Sequence, residues 1–108
     1  MEASDYCLIS TTTDTKENAN AITQILLEKK LIACVQSSII QSAYHWQGKI
    51  AESEEILLQM KTKKSLFKKI QTEIEQLHTY EVPEIIMVPI TGANALYLQW
   101  IEEETINT

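Results

Sequence analysis

The stretch Ala33 to Thr62, ACVQSSIIQSAYHWQGKIAESEEILLQMKT, decides the fold. Residues from Ala33 to Tyr44 have a strand-like pattern, and Gln47-Gly48 supplies a two-residue turn into a second strand from Lys49 to about Thr62. Pairing Trp46 with Lys49 sets Ile39 opposite Ile56, Ser37 opposite Leu58 and Val35 opposite Met60. The apolar positions then share one face without adjustment, so the register is self-consistent. At ~3.3 Å per residue the second strand would run roughly 46 Å, more than twice the usual length. Half of such a hairpin must project beyond any core this chain can build. The projecting half carries Tyr44, Trp46 and Ile50 beside Glu52, Glu54 and Glu55. An isolated two-stranded ribbon is marginal in water, so a partner subunit is expected to cover it.

Working outward, Tyr6 to Ser10 reads as a first strand. Asp14, with Glu17 three residues on, reads as the cap of a helix whose inner face is Ala19, Ile22, Ile25 and Leu26, and Lys29-Lys30 mark its end. Ser65 to Leu77 is an amphipathic helix with Leu66, Phe67, Ile70, Ile74 and Leu77 on one stripe. Ile85 to Ile90 is a further strand that Pro89 confines to an edge or a bend. A last helix carries Ala93, Leu96, Tyr97, Trp100 and Ile101. The order is strand, helix, strand, strand, helix, strand, plus one helix. This is the α+β, ferredoxin-like order: an antiparallel sheet with helices on one face, strand three lying between strands one and two.

The 108 residues, 44% hydrophobic, make one domain over 1–108. A formal charge of -6 and a pI near 4.8 argue against a nucleic-acid partner. The longest uncharged stretch, Leu31 to Gly48, is too polar to span a bilayer. Glu2 and Asp5 stand where a signal peptide would need basic residues, and the two cysteines, Cys7 and Cys34, form no CxxC pair and lie too far apart to bridge. A reducing cytoplasm is expected.

No Gly-rich phosphate loop, GxSxG, HExxH or paired-cysteine metal motif occurs. His78 stands in His78-Thr79-Tyr80-Glu81-Val82-Pro83-Glu84, beside two carboxylates able to ligate a metal. As a lone histidine it also fits a polar loop residue. His45, next to Trp46, reads as interface or solvent, and Cys34 and Cys7 as packing rather than soft-metal ligands. Glu52, Glu54 and Glu55 lack a calcium-loop spacing and read as a solvated or interface edge. The Leu96, Tyr97 and Trp100 stripe reads as packing.

Together, in order, Leu31-Ile32-Ala33-Cys34-Val35, Tyr44-His45-Trp46-Gln47-Gly48-Lys49, Lys61-Thr62, His78-Thr79-Tyr80-Glu81-Val82-Pro83-Glu84-Ile85 and Tyr97-Leu98-Gln99-Trp100 resemble the CutA divalent-cation tolerance family, from about Tyr6 to Glu103. The resemblance implies a ferredoxin-like subunit in a tight homotrimer, similar in architecture to PII signalling proteins, and a role linked to copper and other divalent metals. Some members carry a Cys where this chain has Ser10 and two consecutive His where it has Leu77-His78, and Thr79 replaces a usual Pro. Of that copper-ligand set only His78 remains. Any site must then be assembled from His78, from Glu81 or Glu84, and from a neighbouring subunit, and should hold copper or another divalent cation weakly. Three functions compete: a non-enzymatic trimeric protein of metal homeostasis, a PII-like sensor of a small anionic or nucleotide ligand in inter-subunit clefts, and a small enzyme on a scaffold that hosts many chemistries. The first is expected.

Overall fold

The hairpin forms as its sequence requires. In the computed structural model, which describes residues 2–107, strand β2 (Cys34–Trp46) and strand β3 (Lys49–Lys63) pair antiparallel, with Trp46 opposite Lys49, Ile39 opposite Ile56 and Val35 opposite Met60. Gln47 and Gly48 both take positive φ, +51° and +76°. That is the I′ combination whose twist matches the flanking strands, and glycine supplies the second position without a Cβ penalty.

Strand β1 (Tyr6–Thr13) pairs with the inner half of β3 only, from Tyr6 opposite Lys63 to Thr13 opposite Ile56. Strand β4 (Ile86–Pro89) pairs with β1 and closes the sheet, whose order is β2-β3-β1-β4, all antiparallel. Pro89 sits on that edge strand, where a missing N–H is tolerated. The outer half of the hairpin, Lys49 to Glu55, pairs with β2 alone, and the molecule is 45 Å long against 26 and 21 Å across.

Helices α1 (Lys16–Glu28) and α2 (Phe67–Leu77) pack on one face of the sheet. Their buried residues Ala19, Ile22, Leu26, Ile70 and Ile74 meet Cys7, Ile9, Leu58 and Met60 in the main core. The cap of α1 differs from expectation: Thr15, not Asp14, is the N-cap, its Oγ1 accepting from the Asn18 N–H at 3.1 Å. Asp14 is left free to bond elsewhere. The stop is a Schellman motif rather than a charge effect alone: Lys30 N–H reaches Leu27 O, Leu31 N–H reaches Leu26 O, and Lys30 takes φ +56°. Leu26 and Leu31, both buried, make the accompanying apolar contact. A 3-10 turn, Lys64–Leu66, precedes α2, so the helix starts two residues later than Ser65.

Helix α3 (Ala95–Glu104) lies on the opposite face, against Tyr6, Ala33 and Ile90. Strand alternation explains this, because Tyr6 points away from its neighbour Cys7. The expected apolar stripe is corrected here: Leu98 and Ile101 are buried, Tyr97 half-buried, while Leu96 and Trp100 are exposed. The helix is anchored by Glu102, which accepts from Tyr6 Oη at 2.7 Å and pairs with Lys63 Nζ at 2.9 Å.

Candidate functional site

The loop that follows α2 is pinned at every residue from Leu77 to Tyr80. Asn18 Nδ2 donates to Leu77 O at 2.9 Å, and Thr79 Oγ1 donates to Asp14 Oδ1 at 2.8 Å. Asn18 is held in turn by Thr13 Oγ1, at 2.5 Å from its Oδ1. His78 is bonded on both ring nitrogens. Nε2 lies 2.7 Å from the Thr12 carbonyl, and Nδ1 accepts the Tyr80 N–H at 3.0 Å. A carbonyl only accepts and an N–H only donates, so these partners assign the proton to Nε2. The ring also stacks obliquely on Tyr80, centroids 4.8 Å apart.

The result is a fixed Tyr80, whose hydroxyl donates to Glu55 Oε2 at 2.6 Å. Burial, then the bond to Glu55 and the nearby charges of Glu55 and Asp14, push the Tyr80 phenol well above its ordinary range, so it stays a neutral donor. Glu55 was expected among solvated glutamates. It is instead only 8% exposed, whereas Glu52 and Glu54 are open to solvent. The register separates them: Glu52 and Glu54 stand opposite Ala43 and Gln41, on the helix-bearing face, while Glu55 pairs with Ile40 on the other.

An open cleft of about 920 Å³ lies between this loop and the hairpin, with Thr12, Tyr44, Trp46, Glu55, Tyr80 and Glu84 among its walls. Glu81 and His45 also line it. Tyr44 Oη is 3.2 Å from Ser53 Oγ, which steadies its ring. The structure thus brings Glu81 and Glu84 to the cleft, both exposed, and puts His78 behind it, holding the loop. Glu55, Tyr44 and Tyr80 were not singled out as functional residues. Strand parity could have found Glu55; nothing local announces the bond from Tyr80, which is 25 residues away in sequence.

The donor set does not make a preformed metal centre. Among the described residues no three His, Cys, Asp or Glu side chains converge in a ligating arrangement, and the one imidazole of the loop has no free lone pair. The cysteines do not compensate. Burial pushes the Cys7 thiol up to about 11, so it stays protonated in the core, and Cys34 Sγ lies 3.6 Å from Tyr97 Oη beneath α3. Both are free thiols.

Comparison with known proteins agrees with this architecture. The model of the family described as CutA1 divalent ion tolerance protein matches residues 7–104. The divalent-cation tolerance protein CutA of Thermus thermophilus is 40% identical over 95 residues, covering 87% of this chain and 92% of that protein. The crystal structure of CutA1 from Pyrococcus horikoshii superposes with a TM-score of 0.90 at 34% identity, covering 94% of this chain and 99% of that one. The CutA1 structure from the psychrotrophic bacterium Shewanella sp. SIB1 gives 0.91 at 36% identity, covering 95% and 97%. With a family match across nearly its whole length and the same fold, the chain belongs to the CutA1 divalent ion tolerance family.

Proposed function

We propose that this protein serves divalent-cation tolerance, copper included, without catalysis, as a homotrimer in the cytoplasm. The observation that carries the reading is the near full-length family match, joined to relatives whose names state cation tolerance and no enzymatic activity. Assembly is supported by the hairpin. Its outer half has no third strand, and Ile50 and Ile39 are 76% and 71% exposed, more apolar surface than a lone subunit would leave uncovered. Two unpaired cysteines support a reducing compartment.

Direct cation contact falls to Glu81 and Glu84, with His78 joining only by giving up its bonds to Thr12 and Tyr80. Ligation of that kind is weak, because ring release opposes it. Calorimetric titration with Cu(II) and Zn(II) is the test. Weak binding reduced by His78→Ala about tenfold, or about 1.4 kcal/mol, is expected. Tight binding unchanged by His78→Ala would remove the ligand assignment, and no binding at all would leave tolerance indirect. Sedimentation tests the assembly: a stable monomer at micromolar concentration rejects it, and Trp46→Ala should weaken association more than Lys68→Ala. A second reading, a small-ligand sensor, is favoured by the open cleft beside the loop.

A further inference from the structure

The outer half of the hairpin is hydrogen-bonded to the rest of the subunit at one point. Strand β1 follows β3 only as far as Thr13 opposite Ile56, and Glu55 is the next residue of β3 toward the tip. Apart from the ladder, the bonds of residues 49–55 within the hairpin join Gln41 to Glu54 and Tyr44 to Ser53. Among the described residues, the one hydrogen bond that reaches this segment from outside the hairpin is Tyr80 Oη to Glu55 Oε2, at 2.6 Å. Glu55 is buried and Tyr80 half-buried, and a bond to an ionised acceptor is among the stronger kinds.

The donor end is held as firmly. On the β4 side of β1, Tyr6 O accepts from Ile90 N–H, and in an antiparallel ladder every second residue turns its carbonyl to the same neighbour. Thr12 stands in that series, but β4 pairs with β1 only from Cys7 to Ser10, so no strand donor is left for it. His78 Nε2–H takes the place at 2.7 Å, and its Nδ1 accepts the Tyr80 N–H at 3.0 Å. One imidazole thereby links the strand edge to the backbone of the tyrosine that holds Glu55. The residues beside it are tied as well, Leu77 to Asn18 and Thr79 to Asp14. Tyr80 presents its hydroxyl from a fixed base.

We propose that the loop of residues 77–80 is a brace that sets the direction in which the outer hairpin leaves the sheet, with Tyr80 as the positioning residue and Glu55 its hold on β3. A two-stranded ribbon twists strongly and is marginal by itself, and a fixed point at its root limits its motion. The surface that the outer half offers to a second copy of the chain is then presented in one orientation. A displacement of the loop reaches that surface through a single hydroxyl. The inference rests on the outer half being the assembly surface and is independent of cation ligation by His78, Glu81 or Glu84.

The test pairs sedimentation with amide hydrogen exchange, read by mass spectrometry, on the purified, assembled protein. Tyr80→Phe keeps the ring and removes the bond. It should weaken association about tenfold and speed exchange in segments 40–46 and 49–55 by a similar factor, with segment 57–62 unchanged. Glu55→Gln keeps an acceptor for the hydroxyl and should keep the wild-type exchange. Glu55→Leu removes acceptor and charge together and should reproduce Tyr80→Phe, which separates a lost brace from a carboxylate stranded without its donor. Tyr80→Phe with wild-type exchange would overturn the brace. So would acceleration that extends equally to segment 57–62, because Tyr80 would then serve global stability alone. A wild type that is monomeric at micromolar concentration would reject the assembly reading, and the exchange of the outer segments would still decide the brace. Should Glu55→Leu fail to fold, Tyr80→Phe and Glu55→Gln decide between them.

Discussion

The two halves of the β2–β3 hairpin share one register and meet opposite environments. In the inner half, Leu58 and Met60 are fully buried between the sheet and helices α1 and α2. In the outer half, Ile50 and Trp46 stand in solvent on a ribbon with no third strand. Alternation and turn chemistry are equally good in both. The difference teaches that pairing register is local, whereas burial depends on what else reaches the strand.

The largest expected effect breaks the comparison directly. Leu58→Ala should destabilise the protein by about 2 to 5 kcal/mol, through lost burial and the cavity left behind. Ile50→Ala should change the stability of a lone subunit by no more than about 0.5 kcal/mol. Denaturant melts at several protein concentrations sharpen the contrast. If a partner covers the outer half, the Ile50→Ala penalty grows with concentration while the Leu58→Ala penalty keeps its subunit component.

A smaller effect concerns the closed end of the sheet, where the chain supplies its own partners. Hydrogen bonding from Tyr6, then the Lys63 ammonium, holds the Glu102 carboxyl below its ordinary 4.5. A depressed carboxyl stabilises the fold above its unfolded value and loses that contribution as pH falls through the folded one. Stability should therefore drop on acidification below about 4.5, less steeply in Glu102→Gln. Tyr6 behaves oppositely: burial first, then Glu102, push its phenol from 10.0 up to about 12. Its contribution is present below 10 and is lost as pH rises toward 12, a loss that Tyr6→Phe removes. Denaturant midpoints across pH read both. The exposed hairpin tip, with no such network, should contribute little to either slope.

The smallest effect is at that tip. Gln47 holds φ +51°, a conformation that asparagine tolerates better. Gln47→Asn should raise the denaturation midpoint by the equivalent of about 0.5 kcal/mol without moving the Trp46 to Lys49 register. A loss of stability would show that the tip is held by something beyond its own turn.

Most of the fold was legible for reasons confined to short stretches. The hairpin register, the core faces of both main helices and the edge position of β4 follow from period, turn residues and one proline. Misplacements were local competitions. Asp14 and Thr15 are both good caps, and Thr15 wins because Asp14 accepts from Thr79, 65 residues away. The expected α3 stripe holds at Ile101, which is buried, but it misses Leu98 and includes Leu96 and Trp100, which the helix turns to solvent while Glu102 meets Tyr6 and Lys63. His78 was legible as a loop residue beside carboxylates. Its ring partners were not, because Thr12 O and the geometry of the Tyr80 N–H belong to the folded backbone.

Periodicity and turn chemistry thus settled the element order and the hairpin register, and composition the acidic charge, while the ordered motifs carried the resemblance to the family; each depends on residues a few positions apart or on composition alone. Packing between distant elements settled the rest: α3 on the far face, Glu55 under Tyr80, and His78 bonded at both nitrogens behind the cleft. The bonds of Tyr6 with Glu102, His78 with the Thr12 carbonyl and Tyr80 with Glu55 join residues 25 to 96 positions apart. No local pattern encodes such pairs; they exist only once the sheet has brought its faces together.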